Sequence, residues 1–79
     1  MLIDDLLIVA RTYSGITNRS LSRTSTIVLR DRRRLPMMES GKCSITVRNY
    51  ELAMRWFSEH WPDGYKWPSG VDRPQRADA

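Results

Sequence analysis

The chain has 79 residues and carries 13 Lys and Arg against 9 Asp and Glu, a net charge of +4. A domain of this size buries only about 60% of its unfolded surface, which leaves little room for a supported substrate pocket, and we expect the protein not to be an enzyme. Residues 11–48 hold nine basic and two acidic side chains. This central concentration of charge is typical of a nucleic-acid-binding surface.

The cysteine and histidine content bears on redox setting and metal binding. Cys43 is the only cysteine, so no intrachain disulfide can form and a reducing, cytoplasmic location is expected. We interpret Cys43 as a small filler and not as a nucleophile, because the sequence places no base beside it. With one histidine and no zinc-ligand spacing, no metal or other cofactor is expected.

An amphipathic helix is predicted over residues 2–16. Asp4 and Asp5 fall in its first turn, where negative charge suits the helix dipole. These carboxylates interrupt an apolar run that is far shorter than the ~20 residues of a membrane span, so no membrane association is expected. The apolar residues recur at spacings of 4, 3, 4 and 3 and mark one helix face: Leu2, Leu6, Val9, Tyr13 and Ile16.

The next segment has two interpretations. Ser22 is a plausible N-cap, with Leu21 before it, for a helix that runs to about Leu29 or Arg30. The segment is also rich in β-branched residues, and Thr26–Leu29 would form the strand of a ribbon-helix-helix dimer. The helix is favoured because of the length of the segment and the helices predicted on either side of it.

A short third helix is predicted at residues 35–40, beginning between Arg33 and Leu35. Pro36 is tolerated only in the first turn of a helix, and Gly41 suits the C′ position that follows the last turn. The basic run over residues 30–34 comes just before this helix. Its arginines are therefore placed at a turn and a helix start.

The strongest helical pattern covers residues 47–60. Thr46 is the predicted N-cap, Ile45 is expected to pack on Tyr50 as a hydrophobic staple, and Pro62 ends the helix. His60 in the last turn is interpreted as a partner of the helix dipole and not as a metal ligand. Apolar residues at spacings of 3, 4, 3 and 4 are expected to form the main wall of the core: Val47, Tyr50, Met54, Phe57 and Trp61.

The C-terminal segment contains two turns of similar composition. Trp61-Pro62-Asp63-Gly64 is followed by Trp67-Pro68-Ser69-Gly70. Because a protein this small does not readily leave two tryptophans in solvent, we expect the segment to fold back on the helices. Residues 75–79 are predicted to be disordered. The chain thus divides into a helical domain, residues 1–61, and an irregular Trp/Pro-rich tail, residues 62–79.

Three short stretches resemble the lambda-repressor-like helix-turn-helix family. Leu21-Ser22 resembles the start of the second helix of that family, residues 35–42 resemble the end of its recognition helix with the following glycine and lysine, and residues 45–47 resemble the start of its fourth helix. The whole chain, with residues 57–62 and Trp67-Pro68, is similar to small regulators of alphaproteobacterial prophages and mobile elements. The resemblance implies an all-α, compact four-helix fold in which Ser25 replaces a small apolar residue and Asp31 forms the turn.

The resemblance also implies roles for individual residues. Arg32, Arg33 and Arg34 would begin the recognition helix and contact bases in the major groove. Other residues would contact phosphates: Ser22, Arg23, Arg30, Lys42, Ser44 and Arg48. The implied function is a sequence-specific transcriptional regulator of a phage or mobile element, which binds double-stranded DNA as a homodimer.

A second function is compatible with the same fold. A helix-turn-helix-derived interaction module, such as an antiactivator or an inhibitor encoded by a mobile element, would use the basic face or the tryptophan tail against a protein partner. It would form a stable complex with that partner and bind DNA only non-specifically.

Overall fold

The computed structural model describes residues 2–42, 44–71 and 73–74, and this part of the chain contains four α-helices and no β-strand. The all-α, four-helix architecture predicted from the sequence is confirmed. The alternative with a strand over Thr26–Leu29 is wrong, because these residues belong to a helix. The elements are α1 (Leu2–Thr17), α2 (Leu21–Leu29), α3 (Arg34–Glu39) and α4 (Val47–His60).

The core lies between α1 and α4, the two longest helices, and is closed by α3. Leu6, Val9 and Phe57 are fully buried, and Leu35 of α3 is buried with them. The ring of Tyr13 stands edge-on to the ring of Phe57, with 5.4 Å between their centroids. Aromatic pairs in this geometry stabilise by about 0.5–1.5 kcal/mol beyond the area that they bury, so this contact ties the ends of α1 and α4 together.

The predicted apolar stripe of α4 is confirmed over most of its length. Met54, Phe57 and Trp61 are buried, and Tyr50 is half-buried and packs against the core. Val47, in contrast, is 59% exposed. It is the first residue of α4 and lies at the edge of the core, because periodicity identifies a helix face but not how far along the axis the neighbouring helices extend.

The helix ends follow local hydrogen-bonding rules. The predicted N-cap of α4 is confirmed, since the Thr46 hydroxyl accepts the Asn49 N–H at 3.2 Å. The predicted N-cap of α2 is wrong: Ser20 caps this helix by accepting the Arg23 N–H at 3.1 Å, and Ser22 is exposed in the first turn. Two serines two residues apart are equivalent by composition, and only the backbone conformation selects the first.

The tail packs on the helices, as predicted. The indole N–H of Trp61 donates to the Tyr65 carbonyl at 3.1 Å, and the indole N–H of Trp67 donates to the Val71 carbonyl at 3.0 Å. The two indole rings lie 4.9 Å apart, and Val71 is buried. Trp61 is buried and Trp67 is half-buried, and each satisfies its polar N–H with a backbone carbonyl of the tail.

Arg73 closes the tail onto α4. Its guanidinium donates to the hydroxyl of Ser58 at 3.0 Å and to the Ser58 carbonyl at 2.8 Å, and it lies over the ring of Trp67.

Some predictions are not tested by the described residues. Cys43, predicted as a filler, and residues 75–79, predicted to be disordered, lie outside them. The division of the chain at residue 61 also stays a prediction. None of the helices in the described ranges is long and apolar enough to span a membrane.

Candidate nucleic-acid interface

The turn between α2 and α3 is built from two residues of the basic run. Arg30 adopts the left-handed conformation, with φ 59° and ψ 24°. The side chain of Asp31 then accepts the N–H of Arg33 at 2.9 Å. Asp31 does shape the turn as predicted, but through this hydrogen bond; the reversal of the backbone falls on Arg30. A side chain that bonds the backbone two residues ahead is a common way to fix a turn without glycine.

Ser25 holds the start of α3 against α2. Its hydroxyl donates to the carbonyl of Asp31 and accepts the N–H of Leu35 at 3.0 Å, and Ser25 is fully buried. The first N–H groups of a helix have no acceptor within the helix, so Ser25 supplies the one that Leu35 needs. The Ser25 hydroxyl therefore fixes the turn that carries the arginines relative to α2.

The end of α3 fixes the position of Lys42. Gly41 adopts a positive φ of 79°, which confirms the predicted C′ glycine. The Gly41 N–H donates to the Met38 carbonyl at 3.1 Å, and the Lys42 N–H donates to the Met37 carbonyl at 2.8 Å. This pair of hydrogen bonds is the Schellman arrangement. It turns the chain back so that Lys42 lies beside the exposed face of α3.

These local structures create a depression of about 460 Å³ between the start of α2 and the exposed face of α3. We call it the basic groove, and its lining residues are Ser22, Arg32, Arg33, Pro36, Met37, Ser40 and Lys42. The groove brings together four of the nine residues predicted to contact DNA, and no carboxylate occurs among the described residues that line it. It is open to solvent, with its three cations all exposed.

The nearest acidic side chain of α3 is turned away from this groove. The Glu39 carboxylate accepts the Arg11 guanidinium at 2.7 Å, and both residues line a depression between α1 and α3. Both side chains are exposed, and such a pair contributes little to stability. Glu39 is therefore paired with Arg11 outside the basic groove.

The other predicted contacts lie around the basic groove and not in it. Arg23 is exposed in the first turn of α2, Arg48 is exposed in the first turn of α4, and Ser44 lines the depression between α1 and α3. Arg30 and Arg34 line a separate depression between α2 and α4. The three consecutive arginines 32–34 therefore do not form one surface, because α3 begins at the last of them and its side chain projects towards α4.

The second depression, which we call the α2–α4 groove, combines charge with apolar surface. Arg30 and Arg34 lie beside Leu52 and Trp56. Leu52 is 54% exposed, whereas Trp56 is half-buried. His60 stacks on the ring of Trp56, with 4.2 Å between centroids, and its Nδ1 is 2.9 Å from the Trp56 carbonyl oxygen. The His60 ring therefore contacts both the backbone and the side chain of Trp56, one turn earlier in α4.

The sequence interpretation missed three residues of the basic groove: Pro36, Met37 and Ser40. The signal was present in the spacing. Leu35 and Met38, three residues apart, are the buried face of α3, so residues at positions 36, 37 and 40 must point outward with Arg33. Arg32, Arg33 and Lys42 were predicted from their charge, whereas the groove residues between Arg33 and Lys42 are uncharged.

The side chains that line the basic groove are mainly hydrogen-bond donors. Among residues 2–42, 44–71 and 73–74, no three His, Cys, Asp or Glu side chains are grouped so that they could hold a metal ion. Guanidinium groups, hydroxyls and a primary amine are donors suited to phosphate oxygens and to the acceptor atoms of bases.

No protein-family model, curated protein or solved structure matches this chain.

Proposed function

We propose that the protein is a sequence-specific transcriptional regulator of a phage or mobile element that binds double-stranded DNA with its basic groove. The observation that carries the proposal is that Arg32 and Arg33, just before α3, and Lys42, just after it, line one exposed groove, with no carboxylate among the described lining residues. Phosphate neutralisation by such a face is the main source of affinity for DNA.

Two arginines are the proposed base readers. Arg33 is the N-cap residue of α3 and Arg32 precedes it, so both project from the end of the helix that would enter the major groove. An arginine that pairs with the O6 and N7 atoms of guanine discriminates against other bases by about 1–3 kcal/mol. Arg34 is half-buried and lines the α2–α4 groove, which makes it the weaker candidate of the three.

The proposed phosphate contacts surround these readers. Ser22, in the first turn of α2, and Lys42, just after α3, both line the basic groove. Arg23, Ser44 and Arg48 are exposed farther out, and Arg30 is exposed at the turn. Contacts of this kind fix the register of the protein on the duplex and make binding salt-dependent, but they do not select a sequence.

The length of α3 favours a homodimer. A helix of six residues is only about 9 Å long, and it spans about three base pairs at 3.4 Å each. Two copies on a two-fold operator would double the site that is read, with half-sites one helical turn apart, about 34–36 Å. Dimerisation is therefore part of the proposal.

The test is an unbiased selection of bound duplexes from a random pool, repeated at two salt concentrations. We expect a consensus with two-fold symmetry, and affinity that falls steeply as salt rises. Arg33→Ala should abolish discrimination between the consensus and random DNA, whereas Arg23→Ala should weaken binding to both alike. The absence of a consensus, with no salt-sensitive binding, would contradict the proposal.

One observation supports the alternative of a protein-interaction module. Val47 and Leu52, both more than half exposed, are apolar residues of α4 that lie outside the basic groove. Exposed apolar side chains away from the cations suit contact with a protein partner more than contact with DNA. A stable complex that is lost on Leu52→Asp, with DNA affinity no better than non-specific, would favour this function.

A further inference from the structure

The exposed face of α3 is only partly basic. Between the cations of the basic groove lie Pro36, half-buried, and Met37, which is 37% exposed. The buried residues of α3 are Leu35 and Met38, whereas Pro36 and Met37 line the basic groove. An apolar strip therefore occupies the middle of the surface that the proposed function turns towards DNA.

We infer that Met37, supported by Pro36, recognises the C5-methyl group of a thymine in the major groove. This inference rests on the proposed function. The major-groove edge of thymine presents an O4 acceptor and a methyl group, and apolar side chains are the ones that contact this methyl. The positive charges of Arg32, Arg33 and Lys42 around the strip suit a polyanion, so DNA is the occupant that fits both parts of the surface.

Methionine is suited to this contact. Its unbranched thioether side chain is flexible and polarisable, and it adapts to an irregular apolar surface without losing the neighbouring hydrogen bonds. The preceding Pro36 has no backbone N–H and a fixed φ, so it adds apolar surface without adding a donor. A polar residue at position 37 would instead compete with the arginines for the acceptor atoms of guanine.

The spacing along α3 limits where the thymine lies. Met37 is four residues after Arg33, which is about one helical turn, or ~6 Å along the helix axis. A base-pair step along one strand is about 3.4 Å, so the two side chains reach positions about two steps apart, or three when side-chain length is included. The recognised half-site should therefore contain a guanine and, within about three base pairs of it, a thymine read by its methyl group.

The experiment uses the full chain and the duplex selected as its consensus. Each thymine of the half-site is replaced in turn by deoxyuridine, which removes only the methyl group, and affinity is measured at one fixed salt concentration. We expect one or two positions at which uracil weakens binding about fourfold, the effect of exposing one methyl-sized group. At the same positions Met37→Ala should bind the two duplexes within twofold of each other.

Two further variants serve as controls. Met37→Leu keeps an apolar side chain of similar volume and should retain a preference of at least threefold for thymine. Leu52→Ala removes an exposed apolar residue from the α2–α4 groove and should retain the full fourfold preference. Since Met37 is not part of the core, the thermal unfolding of all three variants should stay close to that of the wild type.

The outcomes separate this inference from the proposed function. If the wild type binds its consensus but tolerates uracil at every position, or if Met37→Ala keeps the preference for thymine, the inference is wrong and the DNA-binding function stands. If no consensus is selected and no salt-sensitive binding occurs, both are wrong. A preference for thymine that depends on Met37 and survives Leu52→Ala supports both.

Discussion

Replacing Ser25 by alanine should destabilise the fold through the loss of two hydrogen bonds made by one buried hydroxyl. Ser25 is fully buried, and its hydroxyl donates to the carbonyl of Asp31 and accepts the N–H of Leu35. Alanine differs from serine by this hydroxyl alone, so it leaves almost no cavity. The variant therefore isolates the hydrogen bonds that connect α2 to α3.

The magnitude follows from what each partner loses. Leu35 is fully buried, and its N–H lies in the first turn of α3 without an acceptor within the helix. A buried donor left without a partner costs about 1–3 kcal/mol. Asp31 is exposed, so water can replace the serine at its carbonyl. Alanine regains at most about 0.7 kcal/mol through its higher helix propensity, and the net loss should be about 1.5 kcal/mol.

Urea unfolding followed by circular dichroism measures this loss. We expect the urea concentration at the unfolding midpoint to fall, while the dependence of the unfolding free energy on urea concentration stays unchanged. In a thermal scan the same change should lower Tm by about 6–12 °C, as expected for a domain of this size. Thr26→Ala is the matched control, because the Thr26 hydroxyl donates to the carbonyl of Ser22 at 3.1 Å on the exposed side of the same helix. If the Ser25 and Thr26 variants agree within about 0.5 kcal/mol, which is the range of ordinary surface substitutions, then Ser25 does not hold α3 in place.

Three further predictions concern the phosphate contacts, the cap of α4 and the tail. If four cations neutralise phosphates, the logarithm of the DNA affinity should fall with the logarithm of salt concentration at a slope of about −4, and Arg23→Ala should reduce the slope by about 1; an unchanged slope would remove Arg23 from the interface. Thr46→Ala should lower the free energy of unfolding by about 1 kcal/mol through loss of the cap, whereas Thr46→Asp should restore it. Arg73→Ala removes two hydrogen bonds to Ser58 and the contact with Trp67; it should cost about 1–2 kcal/mol and change the tryptophan fluorescence. An Arg73 variant with wild-type fluorescence and stability would show that the tail does not depend on this residue.

The helices could be predicted from the sequence because each depends on local patterns. The periodicity of α1 and α4, the N-cap Thr46 and the C′ glycine Gly41 are all readable within a few residues of where they act. The start of α2 was misplaced from Ser20 to Ser22, since both serines satisfy the same local rule. Burial at the helix ends, as for Val47, depends on neighbours that local patterns do not reveal.

The candidate site was less accessible to prediction because it depends on how α2 and α3 meet. The arginines could be predicted as candidates from their charge. Their separation into two grooves depends on the direction in which each side chain projects from the turn, which the sequence does not show. Arg32 and Arg33 line the basic groove, and Arg34 lines the α2–α4 groove. The role of Ser25 was hidden for a similar reason: its partners Asp31 and Leu35 are six and ten residues away, and only the folded turn brings them within reach.

The left-handed conformation of Arg30 has a consequence for how this protein can change. A residue with a side chain pays about 1–2 kcal/mol to adopt this backbone conformation, and glycine adopts it freely. Arg30→Gly should therefore make the fold more stable, by about 1 kcal/mol once the extra freedom of glycine in the unfolded chain is counted, while it removes one positive charge from the proposed DNA-binding surface. Selection for heat resistance and selection for affinity would favour different residues here. At position 30, one substitution is thus expected to raise the free energy of unfolding while it lowers the proposed affinity for DNA.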